Sequence, residues 1–256
     1  MYTRIRVYGV GTEPQIFFDF TLIDPGLFKC FEVTKKERRY IMLEERVVKY
    51  YSRKDPNIAL KVIPGHFSTK HAHLNCYLDV TTMKTRANEA ERIAVAMKDY
   101  YNVMGRPIDT IVCIDGCEVI GAFLANELAR AGILSMNAHK TIYVVTPEHD
   151  IYGDMIFRDN MKLAIKGKNV LLLMASCTTG RTIRGSIECI KYYGGTVQGV
   201  SAIFSALDSV DGFRIDSLFR EEDIPNYESY QNHNCPMCEA GEPVEALVNG
   251  YGYSKL

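Results

Sequence analysis

From residue 87 onward the chain alternates between two spacings of apolar residues. In NEAERIAVAMKDYY (88–101) the apolar side chains Ile93, Ala94, Met97 and Tyr101 recur at the three-to-four-residue interval of one helical face, with Asn88 as the N-cap. TIVCI (110–114) is short, β-branched and continuously apolar, as a strand buried on both faces requires. EVIGAFLANELARAG (118–132) predicts a helix stopped by Gly132, TIYVV (141–145) a second strand and VLLLM (170–174) a third. RTIRGSIECIKYYGG (181–195) predicts a helix closed by paired glycines, and TVQGVSAIFS (196–205) a fourth strand. Strand–helix–strand alternation implies parallel pairing through right-handed crossovers, with helices on both faces of one mostly parallel sheet. Ligands of such sheets gather at the carboxyl ends of the strands.

The two ends break this rhythm. Residues 1–65 mix strand-like and helix-like spacing without a glycine-rich loop and predict a small α+β cap, whose DFTLIDPGLFKCFEV segment (19–33) carries no motif tied to chemistry. Residues 66–210 form the predicted core. Residues 211–256, rich in Asp, Asn, Pro and Tyr, predict a tail laid over it. No apolar run approaches the roughly 20 residues of a membrane span, and the N-terminus lacks a signal peptide's apolar middle, so the expected location is cytoplasmic. The 256 residues carry a net charge of −1, which offers no footprint for nucleic acid or an anionic membrane; the one basic run, KKERR (35–39), reads as a solvated helix face.

Chemistry concentrates where the third strand ends. In SCTTGRT, Ser176, Cys177, Thr178, Thr179, Gly180, Arg181 and Thr182 lead from the strand into a helix start. Backbone N–H groups converge at such a start and the helix dipole adds positive charge, so the loop suits a phosphate. The hydroxyls add donors, Gly180 permits close backbone approach, and Arg181 can pair with a phosphate bidentately. An ordinary strand-to-helix turn with a Ser/Thr cap explains the same residues without a ligand.

The block VLLLMASCTTGRTIRGSIECIKYYGGTVQGV resembles the ribose-phosphate signature of type I phosphoribosyltransferases, and three further stretches point to the orotate phosphoribosyltransferase branch. PGHFSTKHAHLNCYLDVTT (64–82) is similar to that branch's substrate segment, with Lys70 matching a lysine that touches the base. Arg184 matches an arginine on the orotate side of the substrate. YESYQNHNCPMCEAGEP (227–243) is similar to a tail found in some bacterial members. The resemblance implies a type I phosphoribosyltransferase-like fold, magnesium if the chain is active, and a homodimer in which each hood loop serves the neighbouring cleft.

Two departures separate the chain from that pattern. Where the family carries an acidic pair that binds the ribose hydroxyls and helps position magnesium pyrophosphate, this chain has Met174 and Ala175. Neither accepts a strong hydrogen bond or steadies developing positive charge on the sugar. The loop after TIVCI reads Asp115-Gly116-Cys117-Glu118, and the hood segment PEHDIYGD (147–154) has His149 but no lysine. Asp115, Glu118, Glu148, Asp150 and Asp154 predict a negative mouth that disfavours a polyphosphate and still admits a monophosphate. Two functions follow. A non-catalytic relative would bind a nucleoside monophosphate or similar ribose 5-phosphate; an active enzyme would transfer ribose 5-phosphate to orotate using Asp115, Glu118 or His149.

Eight cysteines scattered through apolar segments read as reduced thiols or metal ligands rather than disulfides. Cys235-Pro-Met-Cys238 has the two-residue spacing with which two thiolates grip zinc, and His233, and Cys76 with His71 or His73, are candidate partners; two buried, unmetallated thiols are the alternative. A zinc ion there would be structural, clasping tail to body.

Overall fold

A computed structural model describes residues 42–102, 106–130, 137–138, 141–151, 154–231 and 233–256. The 19–33 segment, the 35–39 basic run and the predicted stop at Gly132 lie outside the described residues. Residues 43–256 form one unit.

Its first part is antiparallel: β1 (Val48–Tyr51), β2 (Ala59–Ser68) and β3 (Ala72–Asp79) lead into the short helix α1 (Thr81–Thr85) and the long helix α2 (Ala87–Asn102). The alternating stretch follows as β4 (Thr110–Cys113), α3 (Glu118–Ala129) and β5 (Tyr143–Val145). A two-stranded hairpin, β6 (Glu148–His149) and β7 (Met155–Ile156), intervenes before β8 (Asn169–Cys177), α4 (Arg181–Tyr192) and β9 (Thr196–Ser205). Next come β10 (Ser209–Val210), β11 (Phe213–Arg220), β12 (Ser229–Gln231), the single-turn helix α5 (Pro236–Glu239), and the hairpin of β13 (Ala246–Asn249) and β14 (Gly252–Lys255).

The main sheet has the order β10-β11-β9-β8-β4-β5, parallel throughout except at the β10 edge. Counting only the parallel strands in chain order, the arrangement is second, first, third, fourth, fifth. Strand order therefore reverses between β4 and β8, and the crevice beyond the carboxyl ends of those two strands is the expected ligand position.

β8 shows why its apolar run is unbroken. Leu171, Leu173 and Ala175 face one cluster with α2 and α3, while Val170, Leu172 and Met174 face another with Ile183, Ile187 and Ile190 of α4. A strand covered by helices on both faces cannot alternate apolar with polar. Leu171, Leu172 and Leu173 are fully buried, each stabilising the fold by about 1.5–3 kcal/mol.

The predicted four strands and three helices of this region are present, with ends shifted by a few residues. The end of the chain differs from its predicted form. β11 is a fifth parallel strand beside β9, hidden in the sequence because buried Asp216 and Ser217 interrupt its apolar run. Nor do the last residues simply lie over the body. β12 pairs with β3, and β13 pairs with β2 and β14, so the tail completes a six-stranded sheet begun by β1–β3. β1 and β2, whose residues fall in the predicted 1–65 cap, belong to that same sheet.

Candidate functional site

At the reversal point the loop after β4 (Asp115–Cys117) and the loop after β8 (Thr178–Gly180) face one another across a cavity of about 990 Å³. Four further segments wall it: the β2–β3 turn with Lys70 and His71, the β6–β7 hairpin with His149, the α4 start, and the β13–β14 turn.

The loop after β8 is shaped by Gly180. As the N-cap of α4 it takes φ 74°, ψ 0°, a left-handed conformation, and provides no side-chain cap. A Cβ added there would lie 2.7 Å from Cγ2 of Val210. The loop is thus pressed onto β10 while the amides of α4's first turn have no capping side chain. Positive charge gathers around it: Nη1 of Arg181 lies 3.3 Å from Nδ1 of His71, next to Lys70, and all three residues are exposed. Desolvation lowers the His71 pKa, and the charges of Arg181 and Lys70 lower it further. Cations from two distant segments thus meet over one glycine-hinged helix start, a setting for an anion of phosphate size.

The opposite side is closed by the chain itself. Lys84, 4% exposed, donates from Nζ to the carbonyl of Asp115 (2.6 Å) and to that of Gly250 (2.5 Å) in the β13–β14 turn, and sits 5.8 Å from the centre of the Tyr251 ring. A Cβ at Gly250 would overlap the Asp115 carboxyl, so only glycine lets the turn approach so closely. Asp115 itself has φ 60°. Desolvation raises its pKa against the opposing pull of Lys84 and His149. The hairpin tip therefore occupies the space beside the β4 loop.

Met174 and Ala175 lie between the two loops. β4 stops at Cys113, opposite Leu173, with the amide of Ile114 donating to the Leu173 carbonyl, so Met174 and Ala175 fall just past the shared ladder. They are 2% and 0% exposed, in opposite apolar clusters. Met174 touches the cavity.

Of the residues singled out in the sequence, Ser176 through Thr182, Lys70, Asp115 and His149 line this cavity. Arg184 turns elsewhere, donating from Nε to Oδ1 of Asp211 at 3.2 Å. Glu118 accepts from the Thr146 hydroxyl at 2.8 Å, and Glu148 is neutralised by Arg158 (2.7 Å), which holds its pKa down. Asp150 accepts from the amide of Asp154 at 2.9 Å. Of the five acids expected to make the mouth negative, Asp115 and Asp154 line the cavity. Lys84 and the β13–β14 turn were not legible as site residues: a buried lysine has the same letter as a surface one, and nothing local tells the last strands to return to the β4 loop.

Cys235 and Cys238 come together with His66 and His73, their ligating atoms all within 4.8 Å of one another. Cys76, buried on β3, and His233 are not in this group. His66, from the GHF of the substrate-like segment, is the member the sequence reading missed.

The doubly wound sheet with a glycine-hinged Thr/Gly loop at its reversal point is a type I phosphoribosyltransferase-like fold. The relatives that the chain resembles are orotate phosphoribosyltransferases. The chain is 27% identical over 208 residues to orotate phosphoribosyltransferase of Caldanaerobacter subterraneus subsp. tengcongensis, covering 79% of this chain and 96% of the relative. With the enzyme of the same name from Caldicellulosiruptor bescii it is 29% identical over 196 residues, 75% of this chain and 90% of the other. The similarity to these orotate phosphoribosyltransferases runs over most of the chain. Among solved structures, orotate phosphoribosyltransferase from Aeropyrum pernix aligns with 18% identity and a TM-score of 0.43, over 63% of this chain and 88% of that one. The Mycobacterium tuberculosis H37Rv enzyme in complex with 5-phospho-alpha-D-ribosyl 1-diphosphate aligns with 14% identity and a TM-score of 0.42, over 57% and 82%. No protein-family model matches the chain. Among the described residues no helix is long and apolar enough to cross a membrane.

Proposed function

We propose that the chain binds a ribose 5-phosphate ligand, a pyrimidine nucleoside monophosphate, with its phosphate on Thr178–Thr182 and Arg181, and that it does not transfer ribose from the diphosphate donor. One observation carries this reading: the phosphate loop opens into the cavity while the β4 side of the same crevice is filled by the Gly250 turn, Lys84 and Asp115. A monophosphate needs only the first of these regions. The second is where a diphosphate leaving group would lie, and there Asp115 opposes it.

Catalysis would need groups that strengthen their hold as positive charge develops on the sugar. Met174 and Ala175 offer no such group, and each is packed in an apolar cluster where a carboxylate would be costly. The donor set fits magnesium poorly as well. Met174 and Ala175 contribute no side-chain oxygen, Asp115 is pressed against Gly250, and Glu118 is engaged by Thr146. Lys70 and His71, on the β2–β3 turn that lines the cavity, would meet the base or the phosphate. Arg184 would reach the base only by leaving Asp211.

The second reading, an active orotate phosphoribosyltransferase with Asp115 or Glu118 holding magnesium and His149 moving a proton, is favoured by the relatives, which match this chain over most of their length. Pairing of two chains, each lending residues 147–154 to the other's cleft, accompanies either reading. Calorimetry with uridine and orotidine monophosphates, against 5-phosphoribosyl diphosphate plus magnesium, separates them. Binding of a monophosphate without turnover of orotate is the expected result. Pyrophosphate release that depends on orotate overturns it.

A further inference from the structure

Away from the cavity mouth, four side chains converge that the proposed ligand does not use. His66, 2% exposed, comes from the bulged part of β2; His73 from the start of β3; Cys235, 1% exposed, is the N-cap of the single-turn helix α5, and Cys238 lies within it. Nε2 of His66 lies 2.9 Å from Nδ1 of His73, 3.6 Å from Sγ of Cys235 and 3.7 Å from Sγ of Cys238, and Nδ1 of His73 lies 3.3 Å from Sγ of Cys238. With metal–nitrogen bonds of about 2.0–2.1 Å and metal–sulfur bonds of about 2.3 Å, the corners of a tetrahedron stand roughly 3.3 Å (N to N) and 3.6 Å (N to S) apart. The observed separations fall within about half an ångström of these.

Protonation and outer contacts agree with a metal. Nδ1 of His66 is 2.9 Å from the Glu242 carbonyl, which can only accept, so that nitrogen carries a proton and leaves Nε2, which faces the other three groups, as the atom to ligate a metal. The thiols are held by their own turn: Pro236 opens it, the amide of Gly241 donates to the Cys238 carbonyl at 2.9 Å, and Gly241 has φ +69°. The amide of Glu245 then donates to the carbonyl of His66 at 2.8 Å, tying the knuckle to β2 from the other side.

We propose that His66, His73, Cys235 and Cys238 bind one zinc ion in a closed tetrahedral site that fastens the tail to the β2–β3 hairpin. Four protein ligands leave no open position, so the role is structural. The metal also has a functional consequence. His66 and His73 bracket the turn that carries Lys70 and His71, so the ion holds that turn at its base while its tip faces the phosphate loop.

The test uses untagged full-length protein purified under reducing conditions. Elemental analysis of wild type should find close to one zinc per chain. Chelation followed by cobalt(II) should yield the intense visible bands of a tetrahedral thiolate site, with thiolate-to-metal charge transfer. Cys238→Ser, at the exposed corner, and His73→Gln should lose both the zinc and those bands, whereas Cys76→Ala and His233→Ala keep them. Because a ligand variant can fail to fold, zinc is also titrated into reduced, chelator-stripped wild type against a chromophoric chelator. A folded wild type that takes up neither metal, a weak octahedral cobalt spectrum, or full zinc in folded Cys238→Ser and His73→Gln overturns the proposal.

Discussion

Lys84→Met removes one ammonium from a place where three groups depend on it. Methionine keeps the length and apolar stem of the side chain. It leaves the Asp115 and Gly250 carbonyls without their 2.6 Å and 2.5 Å partner and takes the nearest opposing cation from the Asp115 carboxylate. Each hydrogen bond to a charged group contributes about 1.5–3 kcal/mol, and the relief of leaving no ammonium to desolvate offsets part of that sum. Removing one member of a buried charged set typically costs about 3–5 kcal/mol, and a loss in that range is expected at neutral pH.

The pH dependence gives the sharper check. The folded-state pKa of Asp115 is already raised by desolvation above the ordinary 3.8, so ionised Asp115 disfavours folding; its cost is absent below that value and grows as pH rises through the folded pKa. Without Lys84 that pKa rises further. Stability lost in Lys84→Met should therefore be smallest near pH 3 and largest at pH 7, and Asp115→Asn, which also tolerates a left-handed φ, should restore part of it in the double variant. Urea unfolding of all four proteins across that range measures both effects. A loss below about 1 kcal/mol, or one that is flat with pH and indifferent to Asp115→Asn, refutes the account of the hairpin latch.

Gly180→Ala should cost about 2 kcal/mol in urea unfolding, from left-handed strain at φ 74° and the 2.7 Å approach of Val210, and should abolish monophosphate binding in calorimetry. Arg181→Ala, at an exposed position, should leave the melting temperature unchanged while weakening uridine monophosphate by about tenfold to hundredfold; unchanged affinity removes the loop from the binding site. Asp216, buried in β11 with Arg214 at 3.4 Å, has its pKa raised first by desolvation, with the nearby arginines and Lys54 opposing. Its ionisation therefore subtracts stability as pH climbs above about 3.8, the ordinary value, so Asp216→Asn should gain on wild type between pH 3 and 7; a gap that narrows contradicts this.

Much of the main sheet was legible because its physics is local. A strand buried on both faces must be apolar at every position, as in VLLLM, and a helix packed on one face must repeat at three and four residues, as in α2 and α4. The Thr/Gly loop was legible for the same reason: Thr, Gly and Arg at a strand-to-helix junction lie within seven residues of one another. β11 escaped because its core-facing Asp216 and Ser217 imitate a surface segment.

The sequence by itself determined the alternation of strands and helices, the position of the Thr/Gly loop, the apolar pair Met174 and Ala175 ahead of it, and the presence of a two-cysteine knuckle, since each depends only on neighbours in the chain. Tertiary structure alone decided that Arg184 turns to Asp211, that Lys84 and Gly250 meet at Asp115, and that His66 joins the thiols. These contacts join residues 27, 166 and 169 positions apart. Side chains that distant meet only after the sheets set their registers, and no local pattern of residues encodes that pairing.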